Sequence, residues 1–242
     1  MILSVHKLPR ALVHHRTVAV VVDVLRATSV MATAVEHGAK QVITCLEIDD
    51  AVQLAKTLPA DTLLCGERHC KPIAGFHLGN SPCDYSAKMV AGRTLVMTTT
   101  NGTRALAAAA PADQVFAGCF VNLSAVAAKL IDQSHVTIVC AGTDGHETEE
   151  DILFAGALAL RLRDSVPHLQ CDDAAGEAIG LWQRHLTSGE SLAERLCQSL
   201  GGRNLVDAGY LEDVKYCARI DAVSAVPSMV AREPLTLTQS QP

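Results

Sequence analysis

The stretch TVAVVVDVLRATS, residues 17–29, leads from a run of valine and alanine through an acid into a helical pattern. The run predicts a strand over residues 17–23, because β-branched residues favour strands and strands apolar on both faces are typical of buried parallel sheets. A helix is predicted over residues 27–37, with Gly38 as its stop. This strand and helix set the pattern for most of the chain.

The same alternation recurs further along. It predicts strands over residues 41–45, 62–66, 93–99, 114–117 and 136–141, and helices over 49–57, 103–109, 122–131 and 149 to about 163. Apolar strands separated by helices indicate an α/β fold whose sheet is mainly parallel, a mixed sheet remaining open, with helices on both faces. Residues 172–200 are helical in pattern, with no strand before about residue 222. We interpret residues 1–242 as a single α/β domain in which 232–242 is a polar tail that can fray.

Composition excludes several classes of protein. The chain has 242 residues, of which 49% are hydrophobic and only 3% aromatic, and its formal net charge is -6. An acidic chain with few aromatic side chains has no general attraction for nucleic acid or for an anionic membrane. A small anionic partner would therefore need a local basic cluster.

The cysteines indicate a reducing compartment. The chain has nine, an odd number, and none forms a C-x-x-C pair. Single cysteines in apolar stretches are typical of small buried hydrophobic residues in intracellular proteins. No run approaches the ~20 apolar residues that cross a bilayer, and no signal peptide is evident. We expect a cytoplasmic protein, with monomer and homodimer both open.

Polar residues collect where predicted strands end. In parallel sheets, ligands bind beyond the carboxyl ends of the strands. Asp23, after the first strand, is the hardest to explain structurally, because a carboxylate ending an apolar strand is unfavourable unless it is paired, exposed in a cleft or bound to a cation. The candidates after the first, third, fourth and sixth strands are Asp23, Arg26, Thr28 and Ser29; Glu67 and Arg68; Asn101, Gly102, Thr103 and Arg104; and Gly142, Thr143 and Asp151.

These residue types suit a site for phosphate and a metal. Arginine forks and helix-start N–H groups hold phosphate oxygens, and carboxylates hold Mg²⁺. We expect Asp23, Glu67 and Asp151 to hold Mg²⁺. Catalytic roles are expected for Asp23, Arg26, Asn101 and Arg104. Substrate binding is expected for Thr28, Ser29, Arg68, Gly102, Thr103, Gly142 and Thr143.

Each cluster also has a structural interpretation. Thr28 and Ser29 are good helix caps, and Asn101-Gly102 is a common turn pair. Three other catalytic signatures fail. Leu25 stands where an aspartate-nucleophile D-x-D motif needs its second acid, and position 150 is Glu where H-E-x-x-H needs His. A C-x5-R spacing from Cys197 lies inside a helical pattern, whereas that motif needs its cysteine at a strand end.

Eight stretches of the chain together resemble the 2-phosphosulfolactate phosphatase family. They are DVLRATS (23–29), GER (66–68), GFHLGNSP (75–82), TTTNGTRAL (98–106), GCFVNLSAV (118–126), CAGTDG (140–145), EDILFAGAL (150–158) and, more weakly, GYLEDVKYCARIDAVSAVP (209–227). The resemblance covers about residues 17–228. It implies a three-layer α/β/α fold, Mg²⁺ dependence, and hydrolysis of 2-phospho-3-sulfolactate to sulfolactate and phosphate, a step of coenzyme M biosynthesis.

The chain departs from this family pattern in one loop. His69-Cys70 stand where the family usually has glycines after GER, and His77 stands where it usually has Asp. These departures bear on the identity of the substrate, which could be a related phosphorylated 2-hydroxy acid. A second hypothesis is that the chain is a non-catalytic or differently catalytic module that binds a small phosphorylated anion.

Overall fold

The computed structural model describes residues 1–12 and 17–240. Its strands are β1 (Ile2–His6), β2 (Val18–Val22), β3 (Gln41–Thr44), β4 (Leu63–Arg68), β5 (Lys71–Pro72), β6 (Thr94–Thr98), β7 (Gln114–Gly118), β8 (His135–Cys140), β9 (Gln170–Cys171), β10 (Pro227–Arg232) and β11 (Leu235–Gln239). Its α-helices are α1 (Ala27–Glu36), α2 (Ile48–Lys56), α3 (Ala87–Val90), α4 (Gly102–Ala109), α5 (Leu123–Leu130), α6 (Glu149–Ser165), α7 (Asp173–Ser188), α8 (Leu192–Gln198), α9 (Leu200–Asp207) and α10 (Leu211–Cys217).

The strands form one mixed sheet, which confirms the α/β class. Its order within the described residues is β5-β4-β6-β3-β11-β10-β7-β2-β8-β1-β9. Strands β4, β6 and β3 make one parallel block, and β7, β2, β8, β1 and β9 make another. The β10–β11 hairpin pairs antiparallel with β7 on one side and β3 on the other. The hairpin therefore joins two parallel blocks into a single sheet.

The hairpin corrects the expectation of a frayed C-terminal tail. Residues 235–239 form β11, in the middle of the sheet, and the side chain of Leu237 is fully buried. The strands and helices predicted up to residue 163 agree with the observed ones to within two residues at each end. The helical pattern over residues 172–200 is observed as α7, α8 and the start of α9. Strands β1, β5 and β9 and helices α3 and α10 were not predicted. Residues 241–242 of the predicted tail lie outside the described residues.

Strand β2 shows why helices cover both faces of its block. Val18, Val20 and Val22 pack into a core that also contains side chains of α5, α6 and α7. Ala19 and Val21 point the other way, into a second core built on α1 and α4. This alternation follows from the two-residue repeat of a strand. Around this block the arrangement is the expected α/β/α sandwich.

The parallel block of β4, β6 and β3 also packs against α1 and α4. Val42, Leu95 and Met97 of β3 and β6 lie in the core that holds α1 and α4, while Ile43 and Val96 pack outward against α2. The two blocks thus enclose α1 and α4 between them. Strand β10 meets β7 through a single residue pair, Ser228 with Phe116, so the link between the blocks is slender.

This arrangement brings the loops after β2, β4, β6 and β8 together, although three antiparallel pairings separate β3 from β7 in the sheet. The close packing of α1 on α4 places the starts of both helices side by side: a Cβ added at Gly102 would lie 2.5 Å from the Cβ of Ala27. Within residues 1–12 and 17–240, no helix has both the length and the apolar composition that crossing a bilayer requires.

Candidate active site

A cavity of about 390 Å³ opens where these loops meet. One wall is formed by Gly201, Asn204 and Leu205 of α9 and by Ala208, the residue after it. The remaining lining residues come from the loops after β2, β4, β6 and β8, from the loop that follows β5, and from the end of α9. They are Asp23, Leu25, Arg26, Glu67, His69, Cys70, Asn80, Thr100, Asn101, Thr143, Asp144 and Asp207.

Asp23 lies at the centre of this site. It directly follows β2 and is only 8% exposed. Its Oδ1 accepts a hydrogen bond from the backbone N–H of Ala27 at 3.1 Å. Burial is the main cause that raises the pKa of Asp23 to about 7, and the neighbouring carboxylates of Glu67 and Glu150 raise it further, whereas the N–H of Ala27 and the guanidinium of Arg26 lower it. A bound cation would favour the charged form of this carboxyl.

Glu67 ties two loops of the site together. Its Oε1 accepts a hydrogen bond from the N–H of Thr100 at 2.8 Å, and its Oε2 accepts one from the N–H of Cys70 at 3.0 Å. The carboxylate is buried but lines the cavity. Because each oxygen has a second lone pair, Glu67 retains acceptor capacity towards a cation.

Asp151 lies behind the cavity, and its expected place in the inner or outer shell of the metal stays a prediction. Its Oδ1 accepts the N–H of Val24 at 2.9 Å and its Oδ2 accepts the N–H of Gly142 at 3.0 Å. Burial raises its pKa, and the nearby carboxylates of Asp23 and Glu150 add to the effect. Since it does not line the cavity, Asp151 serves here to hold the loops after β2 and β8 in position.

Arg26 lines the cavity but is already paired. It is 3% exposed. Its Nη1 donates to Asp213 at 2.6 Å, its Nη2 donates to the carbonyl of Cys70 at 3.0 Å, and its guanidinium lies 4.5 Å from the ring centre of Tyr210. The Ser81 hydroxyl donates to the other oxygen of Asp213 at 2.7 Å. The ion pair of Arg26 with Asp213 therefore fixes the orientation of the guanidinium, which faces the cavity.

The other expected site residues fall into three groups: those that line the cavity, those that are buried behind it, and those that lie away from it. Asn101 and Thr143 line the cavity, and Oδ1 of Asn101 accepts the N–H of Asp144 at 3.3 Å. Five residues are buried behind it and support the loops through backbone hydrogen bonds or close packing: Thr28, Ser29, Gly102, Thr103 and Gly142.

Two expected site residues, Arg68 and Arg104, are not brought to the cavity. The guanidinium of Arg68 donates to the carbonyl of Leu46 at 3.1 Å and to the hydroxyl of Thr98 at 2.8 Å. Arg104 lies on the exposed side of α4 and is not among the lining residues. Position near a strand end was insufficient, because Arg68 is turned towards Leu46 and Thr98 by its own hydrogen bonds and Arg104 lies on the exposed face of α4.

Sequence reasoning missed several lining residues. Asn80 and Thr100 lie in stretches that carried the family resemblance, and their side-chain oxygens Oδ1 and Oγ1 are enclosed without a hydrogen-bond partner among the described residues. Those stretches were the signal that could have found them. The wall formed by α9 had no such signal, because a helical pattern does not reveal what its faces contact.

His69 and Cys70 form a tight turn at the cavity mouth. Arg68 pairs with Lys71 across the β4–β5 hairpin, and the two residues between them have φ angles of 51° and 65°. A two-residue hairpin turn with both φ angles positive favours glycine, because side chains are disfavoured in the left-handed region. His69 and Cys70, which stand where the family usually has glycines, thus adopt a backbone conformation that favours glycine.

The donor set fits a magnesium ion better than a fully protein-ligated metal. Within the part of the chain that the structure describes, no three His, Cys, Asp or Glu side chains are grouped as a metal site. Asp23 and Glu67 nevertheless both line the cavity. Mg²⁺ is commonly held by one or two carboxylates with waters and substrate phosphate completing its shell.

Comparison with known proteins gives a consistent result over nearly the whole chain. Residues 2–232 match the family model described as 2-phosphosulpholactate phosphatase. A probable 2-phosphosulfolactate phosphatase of Caldanaerobacter subterraneus subsp. tengcongensis is 42% identical over 213 residues, covering 87% of this chain and 86% of the relative. Proteins of the same description from Deinococcus radiodurans and Thermotoga maritima are 40% and 36% identical, with 86–90% of either chain covered across the three relatives.

Proposed function

The chain belongs to the 2-phosphosulfolactate phosphatase family, and from this premise we propose that it is a Mg²⁺-dependent phosphoric monoester hydrolase. Its proposed substrate is 2-phospho-3-sulfolactate or a related phosphorylated 2-hydroxy acid, and the products are the free hydroxy acid and phosphate. With 2-phospho-3-sulfolactate the product is sulfolactate, which connects the reaction with coenzyme M biosynthesis through the family resemblance.

The charge of the cavity is the observation that supports a role for a cation. Four of its lining residues are acids, Asp23, Glu67, Asp144 and Asp207, whereas its lining contains one arginine, Arg26, which is paired with Asp213. A phosphate ester with further acidic groups would be repelled from such a cavity. A divalent cation held by these carboxylates would remove this conflict.

Asp23 and Glu67 would hold the Mg²⁺ ion. When bound, the ion supplies neutralisation of the phosphoryl oxygens and of the charge that develops as the ester bond breaks. Arg26 contributes a fixed positive charge beside the same cavity.

The direct test measures phosphate release by the purified chain. We expect turnover of 2-phospho-3-sulfolactate and slower turnover of para-nitrophenyl phosphate with Mg²⁺, and loss of both in EDTA that is restored by added Mg²⁺. Tight binding of 2-phospho-3-sulfolactate without phosphate release would contradict hydrolysis and would favour the alternative of a module that binds a small phosphorylated anion.

Replacing Asp23 tests the metal assignment. Asp23→Asn keeps the size of the side chain and its acceptor for the N–H of Ala27, but it removes the charge that would hold the cation. We expect kcat to fall by at least about 10³-fold, with a melting temperature equal to or above that of the parent, because burial of this carboxylate opposes folding. Mg²⁺-dependent turnover near the parental rate in the variant would refute the assignment.

We further propose that the enzyme acts in the cytoplasm on a small phosphate ester, without a nucleic-acid or membrane partner. All nine cysteines are free in the structure, which supports a reducing compartment. Sedimentation of the purified chain would distinguish a monomer from a homodimer.

A further inference from the structure

Two side-chain oxygens that belong to the lining of the cavity have no hydrogen-bond partner. Asn80 is 5% exposed, and its Oδ1 is enclosed and accepts no hydrogen bond from any described residue. The Oγ1 of Thr100 is enclosed and unpaired in the same way. Buried polar atoms are normally paired, because leaving one unpaired opposes folding. Since the oxygen of an amide is only an acceptor, Oδ1 requires a donor or a cation.

Backbone segments on the two edges of β4 carry these oxygens into the cavity. Leu78 lies beside Cys65 of β4 in parallel register, and Asn80 and Glu67 each follow this pair by two residues. On the other edge β4 pairs with β6, and Thr100 follows that strand. The N–H of Thr100 donates to Oε1 of Glu67 at 2.8 Å. Each edge of the strand that carries Glu67 thus brings one unpaired oxygen into the cavity lined by its carboxylate.

A magnesium ion can pair with an oxygen that is enclosed from water. Mg²⁺ binds its oxygen ligands at about 2.0–2.1 Å, whereas a hydrogen-bonded water oxygen stays about 2.7–2.8 Å away. Oxygens spaced for Mg²⁺ therefore leave too little room for a water molecule between them. An ionised phosphate group offers only further acceptors. Of the two groups expected in this cavity, the cation is thus the one that can pair with Oδ1 of Asn80.

A neutral oxygen also suits the composition of the site. Asp23 and Glu67 both line the cavity, but no three His, Cys, Asp or Glu side chains of residues 1–12 and 17–240 are grouped as a metal site. An amide oxygen is a hard ligand of the kind that such cations accept. It supplements the two carboxylates without adding to the repulsion between negative charges.

We infer that Asn80 supplies its amide oxygen to the coordination shell of the Mg²⁺ ion held by Asp23 and Glu67. The inference rests on the proposed Mg²⁺-dependent function and names a further metal-binding residue of that same site. It places part of the affinity for the cation on a side chain that carries no charge.

Binding of Mg²⁺ to the metal-free chain, measured by calorimetry without substrate, tests this assignment. Asn80→Ala removes the oxygen and leaves the charge unchanged, and we expect the Kd for Mg²⁺ to rise at least about 10-fold. Asn80→Asp keeps an oxygen and adds a negative charge, so its Kd should equal the parental value or lie below it. A parental Kd in Asn80→Ala would mean that Asn80 serves packing or holds a water only, and would overturn the inference.

Thermal unfolding extends the test to variants of low stability. A ligand that binds only the folded chain raises Tm, so the rise on adding Mg²⁺ reports binding. We expect this rise to be smaller than the parental rise in Asn80→Ala. In Asn80→Asp it should be larger, because the added carboxylate is an unpaired buried charge until the cation binds. Should Asn80→Ala fail to fold, a rise in Asn80→Asp no larger than the parental rise would overturn the inference.

Asn204 provides a matched control in the same cavity. It is an exposed asparagine of α9 that lines the cavity. Asn204→Ala makes the same chemical change where the amide is already in contact with solvent, so the Kd for Mg²⁺ should stay within about 2-fold of the parental value. Equal weakening in Asn204→Ala and Asn80→Ala would reveal a general response of the cavity and would refute a specific contact.

The same measurements separate this inference from the proposed function. Mg²⁺ binding that depends on Asn80, without phosphate release from 2-phospho-3-sulfolactate or para-nitrophenyl phosphate, would support the inference and remove only the proposed function. Mg²⁺-dependent phosphate release with a parental Kd in Asn80→Ala would do the reverse. No measurable binding of Mg²⁺ by the parent chain would overturn the inference, whatever the result of the phosphate-release assay.

Discussion

Arg26 and Arg104, which both follow a strand end by a few residues, have different surroundings. Arg26 and Arg104 each follow a strand by a few residues and lie at or near the start of a helix, and the sequence predicted a catalytic role for both. Arg26 is buried against Asp213 and faces the cavity, whereas Arg104 is exposed on α4. The structure therefore supports an active-site role for Arg26 alone.

We expect Arg26→Gln to lower kcat/KM by on the order of 10²-fold or more, because it removes the fixed positive charge beside the phosphoryl group. It should also lower the free energy of unfolding by about 3–5 kcal/mol, since Asp213 would be left as an unpaired buried charge. Arg104→Gln should change kcat/KM by less than about 3-fold, as exposed ion pairs and charges contribute little. Steady-state kinetics and urea unfolding measure both effects.

The double variant Arg26→Gln/Asp213→Asn separates catalysis from stability. Removing both charges should restore most of the lost stability but not the lost activity. If activity returns together with stability, Arg26 serves the site only through folding.

A second residue-scale prediction concerns Cys197. The cysteine lies within α8 and Arg203 lies in α9, so the C-x5-R spacing does not form a phosphate loop after a strand. Burial raises the pKa of the Cys197 thiol, which disfavours the nucleophilic thiolate. Cys197→Ser should keep kcat within about 2-fold of the parental value in the phosphate-release assay. A folded variant without activity would show that the cysteine takes part in the chemistry.

At the scale of elements, the site depends on how closely two helices approach. The starts of α1 and α4 meet at Gly102, where an added Cβ would lie 2.5 Å from the Cβ of Ala27 and 2.8 Å from Oδ2 of Asp23. A side chain at this position would push α4 away from the carboxylate that the site is built on. The backbone of Gly102 is helical and would by itself accept other residues. Glycine is therefore required here by the close packing of α1 on α4.

Gly102→Ala should therefore lower kcat/KM at least about 10-fold and destabilise the fold by about 1–3 kcal/mol through overpacking. Gly176→Ala is the matched control, because Gly176 lies in α7 with no atom within 4 Å of the added Cβ. In a helix this change should stabilise by up to about 1 kcal/mol and leave activity unaltered. Equal effects of the two substitutions would contradict the packing argument. Thermal unfolding and kinetics on both variants give the comparison.

At the scale of the whole molecule, the C-terminal hairpin holds two parallel blocks together. Strand β11 pairs with β3 and β10 pairs with β7, so the last strands of the chain complete the middle of the sheet. The loops of the site come from both blocks. Strands at the far end of the sequence therefore help to hold together the two blocks whose loops line the cavity.

Leu237→Ala tests this role of the hairpin. The side chain of Leu237 is fully buried in the core that holds α1 and α4, and its truncation should lower the free energy of unfolding by about 2–5 kcal/mol. Thr238→Ala, one residue along the strand, should lower it by less than about 1 kcal/mol, because its hydroxyl bonds only the adjacent backbone. Urea unfolding at fixed temperature measures both. A loss below about 1 kcal/mol for Leu237→Ala as well would mean that the hairpin is peripheral to stability.

The family, the α/β class and most strands and helices followed from the sequence alone. Periodicity and composition act locally, so the sequence predicted the valine run of β2 and the helix after it directly, with ends that differ by at most one residue. Asp23, Arg26, Asn101 and Thr143, in loops that follow strands, and Glu67, near the end of β4, were named from the sequence and line the cavity, while their expected roles stay predictions.

The hairpin, the wall formed by α9 and the roles of Asn80 and Asp213 were decided only by tertiary structure. Pairing of β10 and β11 with strands more than 100 residues earlier is a long-range choice that a short polar segment does not encode locally. The same holds for the positions of Arg68, Arg104 and Asp151, whose side chains point where helix rotation and packing direct them. Local sequence determined which residues stand near strand ends, and the packing of α1, α4 and α9 determined which of them meet.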